Sequence, residues 1–318
     1  MSLTIGLIDY LNTMPFHYDL AERLQSVDVH FERGVPSQMN RGIRTGEIDL
    51  APISAIEAAR YADEVVVLPG LSIASLGAVR TVLLFSWAAD MRDLDGQSIA
   101  LTDHSATSNA LLQVLCRERY HIEPHFTVAK QHLPSMLAAH QGALVIGDDA
   151  LIEGTLHRAL IPPEVAASVF NHPSSVVSLE NSELGTRNSI LSTQHSVLST
   201  PFIYDLGDEW LKMTGLPFTF AVWAARKDRV HELEAAGVFD ALYASTEVGL
   251  REESRQQLGD AYAARLGLPA GVCRRYLRDL RYHLTEDDLA GLRLFLELAL
   301  DGFEWERLHF WQREPLAI

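Results

Sequence analysis

The sequence L-T-I-G-L-I-D-Y-L-N-T-M-P, residues 3–15, predicts a buried strand that ends in a polar loop and runs into a helix. The apolar run at 3–8 is typical of a strand, and we expect the helix to span residues 15–25. Asn12 and Thr13 are residue types that cap helices, and Pro15 has the φ angle that a first helical turn needs. Backbone donors and a positive helix end therefore gather at the carboxyl end of a strand, where open α/β sheets bind ligands. This stretch predicts an anion-binding loop.

Two further loops repeat this design. A buried strand at 48–53 precedes S-A-I-E at 54–57, which matches a capping box, so we interpret Ser54 first as a helix cap and second as a ligand contact. A strand at 99–102 precedes D-H-S-A-T-S-N at 103–109, and a helix is expected over residues 108–119. Small hydroxyl side chains let a carboxylate or phosphate approach backbone N–H groups closely. Three such loops in one chain predict an anion-binding cleft.

The charge balance narrows the class of partner. The chain of 318 residues has a net charge of -16, whereas proteins that bind nucleic acids or anionic membranes need a basic face. We therefore expect no nucleic-acid and no membrane partner, and an anionic ligand has to be held by local dipoles and a few cationic side chains. No stretch approaches the roughly 20 apolar residues of a membrane span. The N-terminal residues lack the pattern of a secretory signal, so we expect a cytoplasmic protein.

Familiar catalytic and metal-binding motifs do not account for the chain. It contains no G-x-G-x-x-G, P-loop, G-x-S-x-G or C-x-x-C pattern. His121 and His125 have the spacing of a helical metal pair, but Pro124 breaks the helix that such a pair needs, so we expect no metal. Cys116 and Cys273 lie far apart in helical patterns, which favours buried, reduced thiols over a disulfide.

Four other side chains are candidates for the site. Arg80, just before a predicted strand, is either a counter-charge for an anion or one half of a surface ion pair. His104 lies in the third polar loop and is a candidate acid or base. Asp148 and Asp149 follow a buried strand at 144–146, and adjacent side chains point apart, so only one of them can face a cleft. Asp148 is the better candidate because it lies closer to the end of the strand.

The order of the elements indicates an α/β protein. Residues 79–86 and 217–224 are strong strand candidates, and the sequence has a helical pattern from residue 229 almost to the end. The segment T-E-D-D at 285–288 is expected to cap an amphipathic helix that ends at Gly302. Residues 153–204 are rich in Ser, Thr, Asn, His and Pro. We interpret them as a long insertion with at most short strands, for example at 176–179, and it is a surface excursion, a dimer arm or a lid over the cleft.

Several motifs together resemble one family. They are Y-L-N-T-M-P-F (10–16), V-P-S-Q-M-N (35–40), G-E-I-D-L-A-P-I-S (46–54), L-S-I-A-S-L-G-A-V-R-T-V-L-L-F-S (71–86), S-A-T-S-N-A-L-L (105–112), V-I-G-D-D-A-L (145–151), D-L-G-D-E-W (205–210) and T-G-L-P-F-T-F-A-V-W-A-A-R (214–226). The resemblance is to the chorismate dehydratases of the futalosine pathway to menaquinone, and it covers roughly residues 3–152 and 205–300. The insertion at 153–204 is the departure, since it is longer than the family's usual link.

The resemblance implies a two-lobed, type II periplasmic-binding-protein-like fold with a central cleft. The strands at 79–86 and 217–224 would be the two crossover strands. Lobe one would then be residues 1–86 plus 220–318, and lobe two residues 87–219. A transport receptor with this fold needs export, so the missing signal favours an enzyme built on a binding-protein scaffold.

The resemblance also implies a reaction, the dehydration of chorismate to 3-[(1-carboxyvinyl)oxy]benzoate. Formation of the aromatic ring drives this reaction, so no cofactor is required, and the enzyme has to hold a dianion and assist two proton movements. We expect Asn12 to be catalytic, because its amide donates and accepts at once. The base is either Asp148 or the enolpyruvyl carboxylate of the substrate itself. The expected substrate-binding residues are Tyr10, Thr13, Ser54, Arg80, Ser105, Thr107, Ser108 and Asn109.

Two other functions stay open. The sister lyase of the same pathway acts on cyclic dehypoxanthine futalosine, but its family opens with a P-N-D-T-type loop where this chain has L-N-T-M-P at 11–15. A non-catalytic protein that binds a small anion is the second alternative. A homodimer is expected as the assembly.

Overall fold

The computed structural model describes residues 2–160 and 200–312, with the backbone alone for Leu160. The interior of the predicted insertion, including the strand expected at 176–179, lies outside the described residues. Ten strands form two mixed sheets of five strands each in the described part of the chain. The strands are β1 Leu3–Ile8, β2 Val29–Gly34, β3 Leu50–Ser54, β4 Val65–Ser75, β5 Val82–Ser86, β6 Ser98–Thr102, β7 His125–Ala129, β8 Gly142–Ile146, β9 Phe202–Asp205 and β10 Phe218–Arg226.

The two sheets have matching designs. The first has the order β2-β1-β3-β10-β4, and the second has the order β7-β6-β8-β5-β9. In the first sheet β2, β1 and β3 run parallel, and β10 lies antiparallel beside β3. In the second sheet β7, β6 and β8 run parallel, and β5 lies antiparallel beside β8. The carboxyl ends of β1, β3, β6 and β8 therefore supply the loops that bind ligands in such sheets.

Helices connect and cover the strands. Gly6 in β1 allows close packing of α2, because a Cβ atom there would lie 2.5 Å from Met39 Sδ. The described α-helices are α1 Leu20–Arg23, α2 Pro36–Thr45, α3 Ala55–Arg60, α4 Ala106–Val114, α5 Leu133–Ala139, α6 Gly147–Leu160, α7 Leu206–Thr214, α8 Val230–Ala235, α9 Val238–Gly249, α10 Glu252–Leu266, α11 Ala270–Asp279 and α12 Glu286–Ala299.

The chain crosses between the sheets twice. Residues 76–81 lead from β4 of the first sheet to β5 of the second, and residues 215–217 lead from α7 back to β10 of the first. Because β5 belongs to the second sheet, we propose that the first lobe ends before Val82 rather than at residue 86. No helix in the described ranges has the length and apolar content to span a membrane.

The local predictions have mixed outcomes. The capping box at Thr285 and Asp288 is confirmed, and so are the two buried, unpaired cysteines. The prediction of one helix at 15–25 is wrong, because a 3-10 helix occupies Leu11–His17 and the short helix α1 follows it separately. The helix expected at 108–119 begins earlier, at Ala106, and changes into a π-helix over Leu115–Tyr120. The insertion is shorter than 153–204, because α6 continues to Leu160 and β9 begins at Phe202.

Candidate active site

A hollow lies where the three polar loops meet between the two sheets. It encloses about 530 Å³ of space, its open mouth included. Hydroxyl and amide groups come from all three loops, and the rest of the wall is mostly apolar. The lining residues are Ile8, Tyr10, Asn12, Thr13, Pro36, Ile53, Ser54, Ile73, Val79, Thr81, Val82, Ser105, Ser108, Ile146, Gly147, Phe220 and Ala221.

The first loop presents an amide with a free acceptor. The prediction that Thr13 caps a helix is wrong. Its Oγ1 instead donates its hydrogen to the carbonyls of Ile8 and Tyr10, at 2.5 and 2.8 Å. These contacts close the loop onto the end of β1. Asn12 is also inside the 3-10 helix rather than at its cap, and its Oδ1 atom is buried with no partner among the described residues. A buried acceptor without a donor is costly, so Asn12 is the loop residue most suited to take a ligand hydrogen.

A pair of buried hydroxyl groups, from Thr81 and Tyr276, lies beside Asn12. Tyr276 on α11 is fully buried, and its hydroxyl lies 2.9 Å from Thr81 Oγ1, which lines the hollow. The Asn12 side chain lies close enough to the Tyr276 hydroxyl to lower the pKa of this phenol, although by less than burial raises it. Burial raises the pKa of Tyr276 well above its ordinary value, so the phenol stays protonated. Sequence reasoning missed both Thr81 and Tyr276, since α11 has an ordinary amphipathic pattern.

The second loop is built differently from its prediction. Ser54 is the residue before α3, but its side chain makes no capping bond. Its Oγ accepts from Asn40 Nδ2 at 3.0 Å, and its N–H donates to Asn40 Oδ1 at 2.9 Å. Glu57 pairs with Arg60 instead of reaching back, so the capping box is wrong. Ser54 lines the hollow, and Asn40, which was not among the predicted site residues, fixes its orientation.

The third loop divides its side chains between the hollow and the scaffold. Ser105 and Ser108 line the hollow, their hydroxyls lie 2.9 Å apart, and Ser105 Oγ caps α4 by accepting from the Ser108 N–H. Thr107 is fully buried and accepts from the Ile56 N–H at 3.2 Å. Asn109 donates to the Thr102 carbonyl at 2.8 Å. It lines a neighbouring groove, called the outer groove below, whose wall also includes Ser37, Arg41 and Ser105. The structure therefore brings two of the four predicted residues to the hollow.

Direct contacts join the loops of the two lobes. The Tyr10 hydroxyl lies 3.1 Å from His104 Nδ1, and the Ser37 N–H donates to the His104 carbonyl at 3.0 Å. The Tyr10 ring packs over Gly147, where φ is 68° and a Cβ atom would lie 2.6 Å from the ring. Glycine is therefore required at 147 both by the backbone conformation and by the tyrosine. His104 bridges the lobes but is not among the lining residues.

Asp148 contacts the first loop rather than the hollow. Its Oδ1 accepts from the Leu11 N–H at 3.0 Å, at the start of the 3-10 helix, and it does not line the hollow. Burial raises the pKa of Asp148 to about 6, partly offset by the Leu11 N–H and by Arg265. Asp149 accepts from Gln131 Nε2 at 2.9 Å. In the structure Asp148 thus holds the loop that carries Asn12.

Arg80 lies outside the hollow. Its guanidinium pairs with Asp279 at 3.0 Å, and its backbone N–H donates to Asp205 at 2.7 Å. Arg80 also has a φ of 66°, which is unusual for a residue with a side chain. Of the two predictions for Arg80, the ion pair is the one that the structure contains. Among the described residues that line the hollow, none is charged and none is a histidine.

Comparisons with known proteins identify the family. The sequence model of a family described as "Menaquinone biosynthesis" matches residues 3–163 and 188–301. A chorismate dehydratase of Thermus thermophilus is 32% identical over 293 residues, which are 92% of this chain and 93% of the relative. A chorismate dehydratase of Campylobacter jejuni is 32% identical over 118 residues, which are 36% of this chain and 47% of that protein.

Solved structures show the fold. The periplasmic aliphatic sulphonate binding protein of Escherichia coli has a TM-score of 0.61 at 16% identity, covering 99% of this chain and 93% of that one. A Candida albicans protein described as having the generic periplasmic binding protein fold has a TM-score of 0.56 at 10% identity, with 99% of both chains covered. The predicted periplasmic-binding-protein-like fold is confirmed. By its family match and its full-length relative, this chain belongs to the menaquinone-biosynthesis family that contains the Thermus chorismate dehydratase.

Proposed function

We propose that the protein is a chorismate dehydratase that converts chorismate to 3-[(1-carboxyvinyl)oxy]benzoate in the futalosine route to menaquinone. The observation that carries the proposal is the uncharged hollow between the lobes, where three strand-end loops present hydroxyls and one unpartnered amide oxygen. The family match and the relative at 32% identity support the same substrate. The apolar wall suits the ring of the substrate, and the polar loops suit its two carboxylates.

One carboxylate is held at the third loop. The hydroxyls of Ser105 and Ser108 line the hollow beside the first turn of α4, where Ser105 Oγ accepts from the Ser108 N–H and the N–H groups of the two preceding residues have no partner within the helix. The positive end of the helix dipole also favours an anion there. Ser54 and Thr81 supply further hydroxyls from the facing side.

The charges beside the hollow balance. The outer groove shares Ser105 with the hollow, and its charged lining residues are Arg41, Arg44, Glu57 and Asp103. Two positive and two negative groups give this groove no net charge, so the dipoles and hydroxyls of the loops, rather than a cationic mouth, have to hold the dianion.

The substrate is its own base in this proposal. No carboxylate or imidazole lines the hollow among the described residues, whereas the enolpyruvyl ether, which carries a carboxylate, is attached to the ring carbon that loses its proton. That carboxylate takes the ring proton, the C–H electron pair forms the new ring double bond, the C–O bond on the neighbouring carbon breaks, and the carboxylic acid just formed gives its proton to the departing hydroxide, which leaves as water. Asn12 accepts from or donates to the departing hydroxyl through its free amide. Asp148 then acts as a positioning residue through the Leu11 N–H.

The test is incubation of the purified protein with chorismate. We expect the diene absorbance to disappear and the benzoate product to be identified by mass spectrometry, with little turnover by Asn12→Ala. Binding of chorismate without loss of the diene would favour a non-catalytic anion-binding protein. Turnover of cyclic dehypoxanthine futalosine, and none of chorismate, would favour the sister lyase. A cytoplasmic location and a homodimer stay predictions.

A further inference from the structure

A groove between α10 and α11 concentrates positive charge on a strongly acidic protein. Four arginines and a single glutamate are among its lining residues, although the whole chain has a net charge of -16. The groove encloses about 660 Å³, its open mouth included, and it shares no lining residue with the hollow. Its lining residues are Glu252, Arg255, Gln256, Gly271, Arg274, Arg275 and Arg278.

Close packing of the two helices forces these arginines together. The helices form an antiparallel hairpin, and a Cβ atom at Gly259 would lie 2.7 Å from Arg274 Cγ and 2.9 Å from Arg274 N. The backbones therefore touch at this point. One helical turn away on each helix, Arg255 and Arg278 come opposite each other. Like charges so placed repel, and a bound anion would relieve the repulsion.

The ion pairs in the groove leave much of this charge unmatched. Arg255 pairs with Glu252 at 3.2 Å and Arg274 with Asp260 at 3.5 Å, and in both pairs the acid is about half exposed. The nearest carboxylate to Arg278 lies at 3.8 Å, on the adjacent Asp279. Within the described ranges Arg275 has no ion-pair partner, and Arg255 Nε is buried without an acceptor.

We propose that this groove binds a small molecule that carries a diphosphate or polyphosphate group. Guanidinium groups bind phosphate oxygens through two parallel hydrogen bonds, and several of them around one concave site suit a ligand with adjacent phosphates. The chain's overall negative charge disfavours an extended anionic surface, such as a nucleic acid or a membrane, which would also meet the acidic faces around the groove. This site is independent of the proposed function.

The test is isothermal titration of the full chain with inorganic pyrophosphate. We expect saturable binding at one site, weakened at least about tenfold by Arg275→Gln combined with Arg278→Gln, the loss expected for charge-assisted hydrogen bonds. The matched control is Arg293→Gln with Arg307→Gln, which removes two exposed arginines that pair with Glu297 and Asp63 elsewhere. This control has the same net charge and should bind pyrophosphate like the parent.

Two further arms complete the test. Arg275→Lys keeps the charge and the fold but loses the planar fork, so an affinity between those of the parent and the double variant supports the proposal. Adenosine diphosphate is titrated in parallel: tighter binding than pyrophosphate indicates a nucleotide ligand, and equal binding indicates recognition of the phosphates alone. The proposal is overturned if pyrophosphate does not saturate the parent, if the control variant loses as much affinity, or if the double variant binds normally. Preferential binding to anionic lipid vesicles would also overturn it.

Discussion

The loop of residues 10–13 and the loop of residues 105–109 occupy equivalent places in their sheets, after β1 and after β6, yet they use their polar side chains differently. In the first, Thr13 closes the loop and Asn12 keeps a buried amide oxygen without a partner. In the second, Ser105 caps α4 and Thr107 accepts a hydrogen from the other lobe. Each loop has one buried amide oxygen without a partner, but that of Asn12 belongs to a residue that lines the hollow, and that of Asn109 to a residue that lines the outer groove.

This difference separates residues that act on a ligand from residues that build its site. A buried polar atom without a partner costs free energy that a ligand can recover, whereas a satisfied atom must first break its own hydrogen bond. We therefore expect substitutions in the first loop to affect turnover, and substitutions at Thr107 to affect stability. The hydroxyls of Ser105 and Ser108 lie between these cases, since they bond to each other and also line the hollow.

The largest expected effect is that of Asn12→Ala on turnover. The variant loses the one unpartnered amide at the hollow, so kcat should fall by about 10²–10³-fold, as when a preorganised polar group is removed from a transition state. The melting temperature should change little, because Asn12 Oδ1 has no partner in the described protein. Steady-state kinetics with chorismate and thermal unfolding measure the two quantities.

The matched control is Asn109→Ala in the third loop, which has the same buried, unpartnered amide oxygen away from the hollow. Its amide donates to the Thr102 carbonyl and faces the outer groove, so kcat should stay within about tenfold of the parent while some stability is lost. If Asn12→Ala retained near-parental turnover, or if both variants lost the same activity, the distinction between the loops would fail.

The turnover of the Asp148→Asn variant tests whether Asp148, which holds the first loop, is also the general base. An asparagine can still accept from the Leu11 N–H through its amide oxygen, so a positioning role predicts turnover within about tenfold of the parent. A general base would instead cost about 10²–10⁴-fold. A fall of that size, with the fold intact, would return the proton transfer to Asp148.

The same variant should change the dependence of stability on pH. The pKa of Asp148 is raised to about 6 in the folded protein, above that of an unfolded aspartate near 4, so the folded state binds more protons between these values. The parent therefore loses stability as pH rises from about 4 to 6, and the asparagine variant does not. The difference in unfolding free energy should reach roughly 2–3 kcal/mol by pH 7, measured by urea unfolding. A pH-independent difference would contradict a raised pKa.

Residue types along the chain indicate which loops meet, but not which side chain of each loop stays free. Ser, Thr and Asn cap helices and bind anions with the same atoms, so D-H-S-A-T-S-N at 103–109 is consistent with either use. The partner of Thr107 is Ile56, in the other lobe, and that contact leaves no local pattern. The capping box at Ser54 failed for a similar reason, because Asn40 on another helix takes both polar groups of Ser54.

The sheets were more predictable than the site. Apolar runs such as 3–8 and 48–53 carry their own signal, and the strands there are found nearly where expected. The 3-10 helix at Leu11–His17 was missed because Thr13 bonds back to Ile8, and Asp148 supplies an acceptor from the second lobe. Tyr276 could not have been found, because its role depends on packing α11 beneath Asn12. Long-range partners, rather than local propensity, decide these details.

A comparison of Thr107→Val with Ser108→Ala should show which hydroxyl of the third loop supports the scaffold and which binds the ligand. The first variant leaves the buried Ile56 N–H without its acceptor, which should cost about 1–3 kcal/mol of stability and leave KM unchanged. The second removes a hydroxyl that lines the hollow but keeps the Ser108 N–H bond to Ser105, so KM should rise several-fold with a smaller loss of stability. Chemical unfolding and steady-state kinetics test both. An increase in KM for Thr107→Val would place that hydroxyl on the ligand.

The smallest expected effect is that of Tyr10→Phe, which sharpens the comparison because Tyr10 joins the two loops. The variant keeps the ring over Gly147 and loses only the hydrogen bond to His104 across the lobes. Lobe closure should weaken by about 0.5–1.5 kcal/mol, the net contribution of one hydrogen bond, so the Kd for the benzoate product should rise by about two- to tenfold.

A double-mutant cycle with His104→Ala isolates this contact, since the loss in the double variant should be smaller than the sum of the single losses. Additive losses would mean that the lobes are held together without this bond, by the Asp148 and Thr107 contacts to the opposite lobe. The first loop would then act on the ligand alone, with no share in closing the cleft.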